Sequence, residues 1–534
     1  MKRAIALFLS ALLLLGLFTA CANKGGASEN VLRIATNDEP NTADAQKTTE
    51  YYFLPLNIFD TLLEVSVQED GQTELVPSLA ESWEVSPDGI TYTFHLREGV
   101  KFHNGEVFKA DDVVYTFERM LKPETEALNV DFLACIQGAQ EMMDGNAQTL
   151  SGLEVKDDYT LVVTLEEPFA PFLAGLSTPA CSIYNRKATE EAGDQFGIDP
   201  ELTIGTGPFI FESWVVNSDK TLMANEEYWR GRPALDGITM TVVEDADTLK
   251  MLFESGELDI FDLEMAPVQA ESYLESEEYK DQIVTGQRVG IYYMSINEAL
   301  EPFQDVRVRK AYQMAIDKQE ILDTVFAGMG EVQSGILPPG LIGHNPDLEE
   351  IEYNPEEAKR LLAEAGYPNG FEMEIAANAD DTNTTTQVYE MVQAMLDEVG
   401  IDAEIVMYDD ATWRAKRAEG QIGSYLSSWS ADFNDPDNFI YSIFAPGNSE
   451  RRSFNYSNEE VKQQIVEARG IVNEEERIAL YQELEKQIVQ EDAAWVPLFS
   501  KEHSFVVSER VEGFQVAWNG WADTKYYDVS IKES

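Results

Sequence analysis

The sequence predicts an α/β protein built from two or three packed domains. Its 534 residues are more than one hydrophobic core usually holds, and 44% of them are hydrophobic, which is ample for a large core. After residue 296, helical patterns alternate with strand patterns, which is typical of a lobe with parallel strands. No fixed-period repeat follows residue 30, so the sequence favours globular lobes over a solenoid.

The N-terminal residues have the pattern of an export signal. Lys2 and Arg3 precede an apolar run at 4–18, which is shorter than the ~20 residues that a membrane span needs. Cys21 follows directly after two small residues, and this arrangement resembles the bacterial lipobox, in which the cysteine thiol is acylated. The resemblance implies a signal peptide at 1–20 and a lipid anchor on Cys21. An ordinary secretory signal with an incidental cysteine is the alternative.

The net charge of −59 excludes one class of partner, because so negative a surface repels nucleic acid. Its simplest role is to keep the surface soluble. The two remaining cysteines, Cys135 and Cys181, fit either one disulfide or two buried thiols, and both alternatives stay open.

Strand and turn signals dominate the first half of the mature chain. We predict strands at 31–36, 91–96 and 161–165, the second from its strict alternation of apolar and polar residues. A helix is expected after Ala110. The Gly-Thr-Gly-Pro sequence at 205–208 marks a sharp break, beyond which the chain is expected to return to the first sheet.

Helices in the second half are predicted from their capping residues. Asn354 precedes a helix at 355–365, and Ser457 and Asn473 are each followed three residues later by glutamate, which predicts two further helix starts. A βαβ unit is expected from a strand at 371–377, a helix at 385–399 and a strand at 401–407.

No catalytic or metal-binding pattern is present in the sequence. It has no Gly-x-Ser-x-Gly elbow, no His-Glu-x-x-His, no Cys-x-x-Cys and no phosphate-binding loop, so we predict no enzyme activity and no cofactor. The four histidines are scattered, which argues against a metal site. The acidic stretch 432–438 differs from a calcium loop because Ile443 stands where a bidentate glutamate is needed.

Several motifs, in order along the chain, resemble the family 5 extracellular solute-binding proteins, which include the oligopeptide- and dipeptide-binding components of ABC importers. They are LVPSLAESW at 75–83, TYTFHLREGVKFHNG at 91–105, GTGPF at 205–209, DVRVRKA at 305–311, AID at 315–317 and AKRLL at 358–362.

The resemblance implies a two-lobe class II periplasmic-binding-protein fold with an extra subdomain inserted in the first lobe. The expected division is a signal peptide at 1–20, a flexible tether at 21–30, lobe I at 31–74, the inserted subdomain at 75–204, lobe I again at 205–295, lobe II at 296–499 and a C-terminal return to lobe I at 500–534.

The sequence WSADFNDP at 429–436 resembles the peptide-binding members. By position, the resemblance implies that Trp429 lines the cleft and that Asp432 pairs with the ligand's α-ammonium group, with Ser430, Ala431 and Phe433 beside them. Ordinary core packing of Trp429 and a local turn role for Asp432 are the alternatives. Asp435 before a proline is more simply a helix cap.

One departure from related peptide binders concerns the ligand carboxylate. Such proteins often place a cation shortly before the tryptophan, whereas 421–428 contains none. The peptide length therefore stays open.

The predicted function is capture of peptides outside the cell by a monomer that is lipid-anchored to the membrane and delivers them to ABC permease subunits. Binding of nickel, haem or oligosaccharide by the same fold, and peptide sensing without transport, are alternatives. A hydrolase is disfavoured by the missing catalytic residues.

Overall fold

The computed structural model describes residues 30–49, 51–67, 73–519 and 524–532. The predicted signal peptide, Cys21 and nearly all of the predicted tether lie outside the described residues. Among the residues that are described, no helix combines the length and the apolar content required to cross a membrane.

The first lobe is built on two sheets. Its N-terminal strand buries Leu32 and Ile34 on one face and pairs in parallel with a strand from much later in the chain. The four-stranded sheet has the order Val31–Thr36, Gly237–Val242, Asp219–Ala224 and Phe209–Trp214. The antiparallel three-stranded sheet has the order Ile260–Asp262, Glu502–Val507 and Ile283–Gln287.

In the described ranges of this lobe, helices and short strand pairs pack around the two sheets. The helices are Phe53–Ile58, Ala246–Glu254 and Pro267–Leu274. The antiparallel pairs are Leu63–Val67 with Thr73–Pro77 and Val511–Glu512 with Ser530–Ile531.

A separate antiparallel sheet forms between the two parts of the first lobe. The alternating sequence at 91–96 is a strand in which Tyr92, Phe94 and Leu96 are buried, as its period of two predicts. The strand order is Ala80–Val85, Thr91–Leu96, Thr160–Thr164 and Leu153–Asp157. Its helices are Ala110–Leu121, Ala139–Met143, Phe172–Gly175 and Arg186–Ala192. We call this part the insert.

The second lobe contains a four-stranded sheet and a parallel strand pair. The sheet has the order Glu331–Val332, Trp495–Ser500, Gly290–Ser295 and Leu426–Ser430, and the parallel pair is Phe371–Asn378 with Ile401–Tyr408. Its helices are Val306–Met314, Lys318–Phe326, Pro355–Glu364, Asn383–Glu398, Asp410–Ala418, Asp437–Phe444, Asn448–Arg451, Glu459–Ala468 and Glu474–Lys486. Gln487–Glu491 continues the last helix as a π-helix.

The predicted βαβ unit and the caps predicted at Asn354 and Asn473 are confirmed. Asn354 accepts a hydrogen bond from Glu357 N at 3.0 Å, and Asn473 accepts one from Glu476 N at 2.9 Å. The cap predicted at Ser457 is wrong. Asn458 caps that helix instead, because the Ser457 hydroxyl donates to Glu298 Oε2 at 2.7 Å and is therefore engaged elsewhere.

Two neighbouring strand crossings connect the lobes. Ile283–Gln287 and Glu502–Val507 pair in the first lobe, and Gly290–Ser295 and Trp495–Ser500 pair in the second. Between them, Arg288 N donates to Lys501 O at 3.0 Å. The first crossing therefore lies near residue 289, a few residues before the predicted end of the lobe I segment at 295, because strand pairing places 290–295 in the second-lobe sheet.

The insert also contacts the second lobe. Phe132 packs edge-on against Phe433 with ring centroids 5.9 Å apart, and Ala170 N donates to Arg469 O at 2.9 Å. Cys135 and Cys181 are both free thiols in this structure, so the disulfide alternative is not the one observed.

Candidate functional site

The candidate site is a cavity of about 610 Å³ between the insert and the second lobe. Its second-lobe wall includes Trp429, Asp432 and Phe433, and its insert wall includes Phe132 and Phe169. This volume is within the usual range for small-molecule sites, which are mostly apolar clefts with a few placed polar groups. Three of the five predicted ligand-binding residues therefore line one cavity.

Strand pairing fixes the other two predicted residues. Ser430 lies opposite Gly290 in the second-lobe sheet, and Ala431 N donates to Val289 O at 2.8 Å. Ala431 is fully buried, and neither Ser430 nor Ala431 lines this cavity. These residues hold the backbone at the end of the strand, from which Trp429 and Asp432 extend to the cavity wall.

Asp432 is a half-buried carboxylate with one described hydrogen-bond partner. Its N–H donates to Asn438 Oδ1 at 2.9 Å, and Asn438 Nδ2 donates back to Asp432 Oδ2 at 2.9 Å. Oδ1 accepts no hydrogen bond from any described residue. Burial raises the pKa of Asp432 above its ordinary value, and the Asn438 hydrogen bond and the Arg452 charge only partly offset this. A cationic group of a ligand would stabilise the ionised form of this carboxylate.

Asp432 lines two cavities. Besides the cavity against the insert, Asp432 lines a second cavity of about 440 Å³, whose other walls belong to the first lobe and to the insert. The first-lobe wall carries another carboxylate, Asp60, which is buried and accepts several hydrogen bonds. It accepts hydrogen bonds from Thr206 Oγ1 at 3.1 Å, Tyr228 OH at 3.0 Å, Trp229 Nε1 at 3.1 Å and Lys525 Nζ at 2.9 Å. Burial raises the pKa of Asp60, but the Lys525 charge and these bonds outweigh it, so the net shift is downward.

The acidic residues that follow Asp432 are paired within the second lobe. Asp435 accepts from Asp437 N at 2.9 Å, as a capping residue does, and it also forms an ion pair with Arg477 at 2.7 Å. Asp437 accepts from Tyr481 OH at 2.9 Å. Within the described ranges, no group of three or more histidine, cysteine or acidic residues is arranged to hold a metal ion.

The cavity residues that sequence reasoning missed include two that contact the predicted pair Trp429 and Asp432. Asn438 positions Asp432, and Arg452 stacks its guanidinium over the Trp429 ring at 4.4 Å from the centroid. Two helices, Asp437–Phe444 and Asn448–Arg451, separate Arg452 from Trp429 in the sequence, and only the fold brings Arg452 back to the ring.

Comparison with known proteins identifies the family. Residues 74–451 match the model described as bacterial extracellular solute-binding proteins, family 5 middle. The chain is 33% identical over 501 residues to heme-binding protein A of Haemophilus influenzae, covering 90% of this chain and 88% of that protein. It is 31% identical over 490 residues to a dipeptide-binding protein of Escherichia coli, covering 88% of each.

Solved structures agree with this assignment. HbpA2 from Haemophilus parasuis superimposes with a TM-score of 0.80 at 28% identity, covering 94% of this chain and 100% of that one. The periplasmic binding protein DppA from Helicobacter pylori, in complex with the peptide STSA, gives a TM-score of 0.76 at 26% identity, covering 94% and 98%.

The chain belongs to the family 5 extracellular solute-binding proteins. The resemblance seen in the sequence motifs and the two-lobe fold that it implied are confirmed. The chain is therefore an extracytoplasmic binding component of a transport system and not an enzyme.

Proposed function

We propose that the chain captures short peptides in the cavity beside Asp432 and delivers them to the membrane subunits of an ABC importer. The observation that carries the proposal is the Asp432 carboxylate, which faces the junction of two cavities with one oxygen that no described residue engages. An α-ammonium group supplies a positive charge and hydrogen-bond donors, and it is common to peptides with a free N-terminus.

The names of relatives support the same ligand class. Relatives described as dipeptide-binding come from Escherichia coli and Pseudomonas aeruginosa, and the Helicobacter pylori relative was solved with a bound peptide. In this proposal Trp429 and Phe433 supply apolar walls, while Ser430 and Ala431 hold the segment in register. The lobes close about the two crossings near residues 289 and 501, and the closed form docks on the permease.

The test compares free and blocked peptides by titration calorimetry. Wild-type protein should bind the dipeptide Ala-Leu, and N-acetyl-Ala-Leu should bind about 10- to 100-fold more weakly because it has no ammonium group. Asp432→Asn should keep the fold and lose most of the affinity for Ala-Leu. Asp131→Asn, which changes an exposed carboxylate of the same cavity, is the matched control and should bind normally. Unchanged binding by Asp432→Asn would reject the proposed role.

Haem is the main alternative ligand, because one relative is described as heme-binding. Nickel and oligosaccharides are further alternatives within the fold. Native mass spectrometry of protein purified from its own cells distinguishes them by the mass of the retained ligand. A haem adduct with its visible absorption band, in protein that binds no peptide, would replace the peptide assignment.

We also propose that the chain is exported through residues 1–20 and anchored by lipid on Cys21, and that it acts as a monomer. The lipobox-like sequence supports the anchor. Cys21→Ser should move the protein from the membrane fraction to the soluble fraction, and Cys181→Ser is the control that should not. A wild-type protein found only in the soluble fraction would exclude the anchor.

Transport and sensing are separated genetically. If the protein serves an importer, deletion of its gene should abolish uptake of a labelled dipeptide. Normal uptake in the deletion strain would favour a sensing role.

A further inference from the structure

The segment that carries Asp432 also forms a hydrogen bond between the two lobes. Asn434 lies two residues after Asp432 in the second lobe, and its amide Nδ2 donates to Thr73 Oγ1 in the first lobe. Thr73 begins the strand Thr73–Pro77, which belongs to a short strand pair of that lobe. The two side chains can therefore form this bond only while the lobes lie against each other.

The fold fixes the direction in which the Asn434 amide faces. Ile342 N donates to Asn434 Oδ1 at 2.8 Å. A backbone N–H can only donate, so the amide oxygen must face Ile342 and the amide NH2 group must face Thr73. The loop that carries Ile342 is held by the second lobe, because Gln482 Nε2 donates to Gly343 O at 3.2 Å. The second lobe alone therefore orients the Asn434 amide toward the first lobe.

The hydrogen bond lies outside the two cavities that Asp432 lines. The strand pair that includes Thr73 contributes Val65 and Val76 to the wall of the cavity of about 440 Å³. Asp432 lines the same cavity from the second lobe. Neither Asn434 nor Thr73 lines this cavity or the cavity against the insert. A peptide beside Asp432 would therefore contact the two elements that the bond joins without contacting the bond itself.

The same segment is attached to the first crossing between the lobes. Ala431 directly precedes Asp432, and its N–H donates to Val289 O at 2.8 Å. Because Asp432 and Asn434 belong to one short segment, we expect a rotation of the lobes about this crossing to move both residues together. A hydrogen bond is lost when its donor and acceptor separate beyond about 3.5 Å, so opening of the lobes is expected to break the bond to Thr73.

We propose that Asn434 is a positioning residue that couples peptide capture at Asp432 to closure of the lobes through its hydrogen bond to Thr73. This inference rests on the proposed function, because it assumes a peptide in the cavity beside Asp432. The closed form contains the bond and the open form lacks it, so the bond slows opening and hence release of the peptide. Because the bond contacts no part of the peptide, it slows the release of different peptides to the same extent.

The first test removes only the first-lobe partner of Asn434. Thr73→Val keeps the shape of the side chain and loses the hydroxyl. Stopped-flow kinetics with Ala-Leu should show dissociation about 3- to 10-fold faster than in wild type with an unchanged association rate, as the loss of one hydrogen bond of the closed form predicts. Thr73→Ser keeps the hydroxyl and should release Ala-Leu at the wild-type rate. A wild-type dissociation rate in Thr73→Val would overturn the coupling.

A double-mutant cycle assigns the effect to the pair. Asn434→Ala should also release Ala-Leu faster, and adding Thr73→Val to that variant should change nothing further, because the bond is already lost. Additive effects would mean that Thr73 acts through another contact, which would overturn the assignment. Glu74→Gln changes the exposed neighbour on the same strand and is the matched control with a wild-type rate. Thermal unfolding of each variant separates misfolding from faster release.

A third comparison separates closure from recognition of the peptide. The ratio of the affinities for Ala-Leu and N-acetyl-Ala-Leu should be the same in Thr73→Val as in wild type, whereas Asp432→Asn should reduce it to nearly one. A changed ratio in Thr73→Val would mean that Thr73 takes part in recognition, and it would overturn the proposal. If wild-type protein binds no peptide, the proposed function fails and the coupling fails with it. If wild type binds Ala-Leu and Thr73→Val releases it no faster, only the coupling fails.

Discussion

Asp60 and Asp432 lie on opposite walls of one cavity, yet their surroundings are opposite in kind. Asp60 accepts four side-chain hydrogen bonds, including one from Lys525, and its pKa is lowered. Among the described residues, only Asn438 forms a hydrogen bond with the Asp432 side chain, and burial raises the pKa of Asp432. The oxygens of Asp60 accept hydrogen bonds from residues of its own lobe, so Asp60 stabilises that lobe. Asp432 has an oxygen that no described residue engages, and that oxygen can accept a hydrogen bond from a ligand.

The largest expected effect comes from Asp60. Asp60→Asn removes the anion beneath Lys525, which is left with the more distant Glu64 at 3.5 Å. We expect the free energy of unfolding to fall by about 3 kcal/mol, measured by urea denaturation. Asp528→Asn changes an exposed carboxylate of the same cavity and should shift it by less than about 0.5 kcal/mol. If Asp60→Asn keeps its full stability but loses peptide binding, Asp60 binds the ligand and does not act as a structural residue.

Glu485, a buried carboxylate of the second lobe, extends the comparison to pH. Its Oε1 accepts from Ile336 N at 2.6 Å and Leu337 N at 2.8 Å, while Oε2 is buried without a described partner. Burial raises the pKa of Glu485 to about 7. The folded state therefore keeps a proton that the unfolded state loses. This contribution to stability is complete below about pH 4 and is lost as pH rises to 7.

Glu485→Gln should remove that dependence. Relative to wild type, its free energy of unfolding should increase by about 3 kcal/mol between pH 4 and pH 8, measured by urea denaturation at each pH. Glu483→Gln is the control on the same helix, and it should change little with pH because that side chain is not buried. A difference between Glu485→Gln and wild type that does not change with pH would show that folding leaves the pKa of Glu485 unshifted.

The smallest expected effect tests what holds Asp432 in place. Asn438→Ala removes its one described hydrogen-bond partner, so we expect the affinity for Ala-Leu to fall about tenfold, measured by calorimetry. Asn448→Ala removes a comparable hydrogen bond to Tyr441 O in the same cavity and should bind normally. Equal affinities in these two variants would mean that Asn438 does not orient the carboxylate.

Local patterns in the sequence predicted most of the fold. The alternation at 91–96 and the caps at Asn354 and Asn473 depend on near neighbours, and they are where the sequence indicated. The Ser457 cap failed because the distant Glu298 takes its hydroxyl. Contacts of that kind leave no local pattern.

The candidate site likewise has residues that a local pattern predicts and residues that only distant contacts bring together. Trp429, Asp432 and Phe433 form one short segment and were predicted together. The partners of Asp60 come from three separate segments, around residues 206, 228 and 525, and Arg452 reaches Trp429 only through the fold. A single sequence contains no signal for such pairs.

The two adjacent crossings between the lobes have a mechanical consequence. Because Arg288 and Lys501 join them by a backbone hydrogen bond, we expect the crossings to bend together and the lobes to rotate about essentially one axis. Different peptides would then alter the conformations of the side chains that line the cavity, while the rotation that closes the cavity would stay the same. A membrane partner can therefore recognise a single outer shape, whatever peptide is inside.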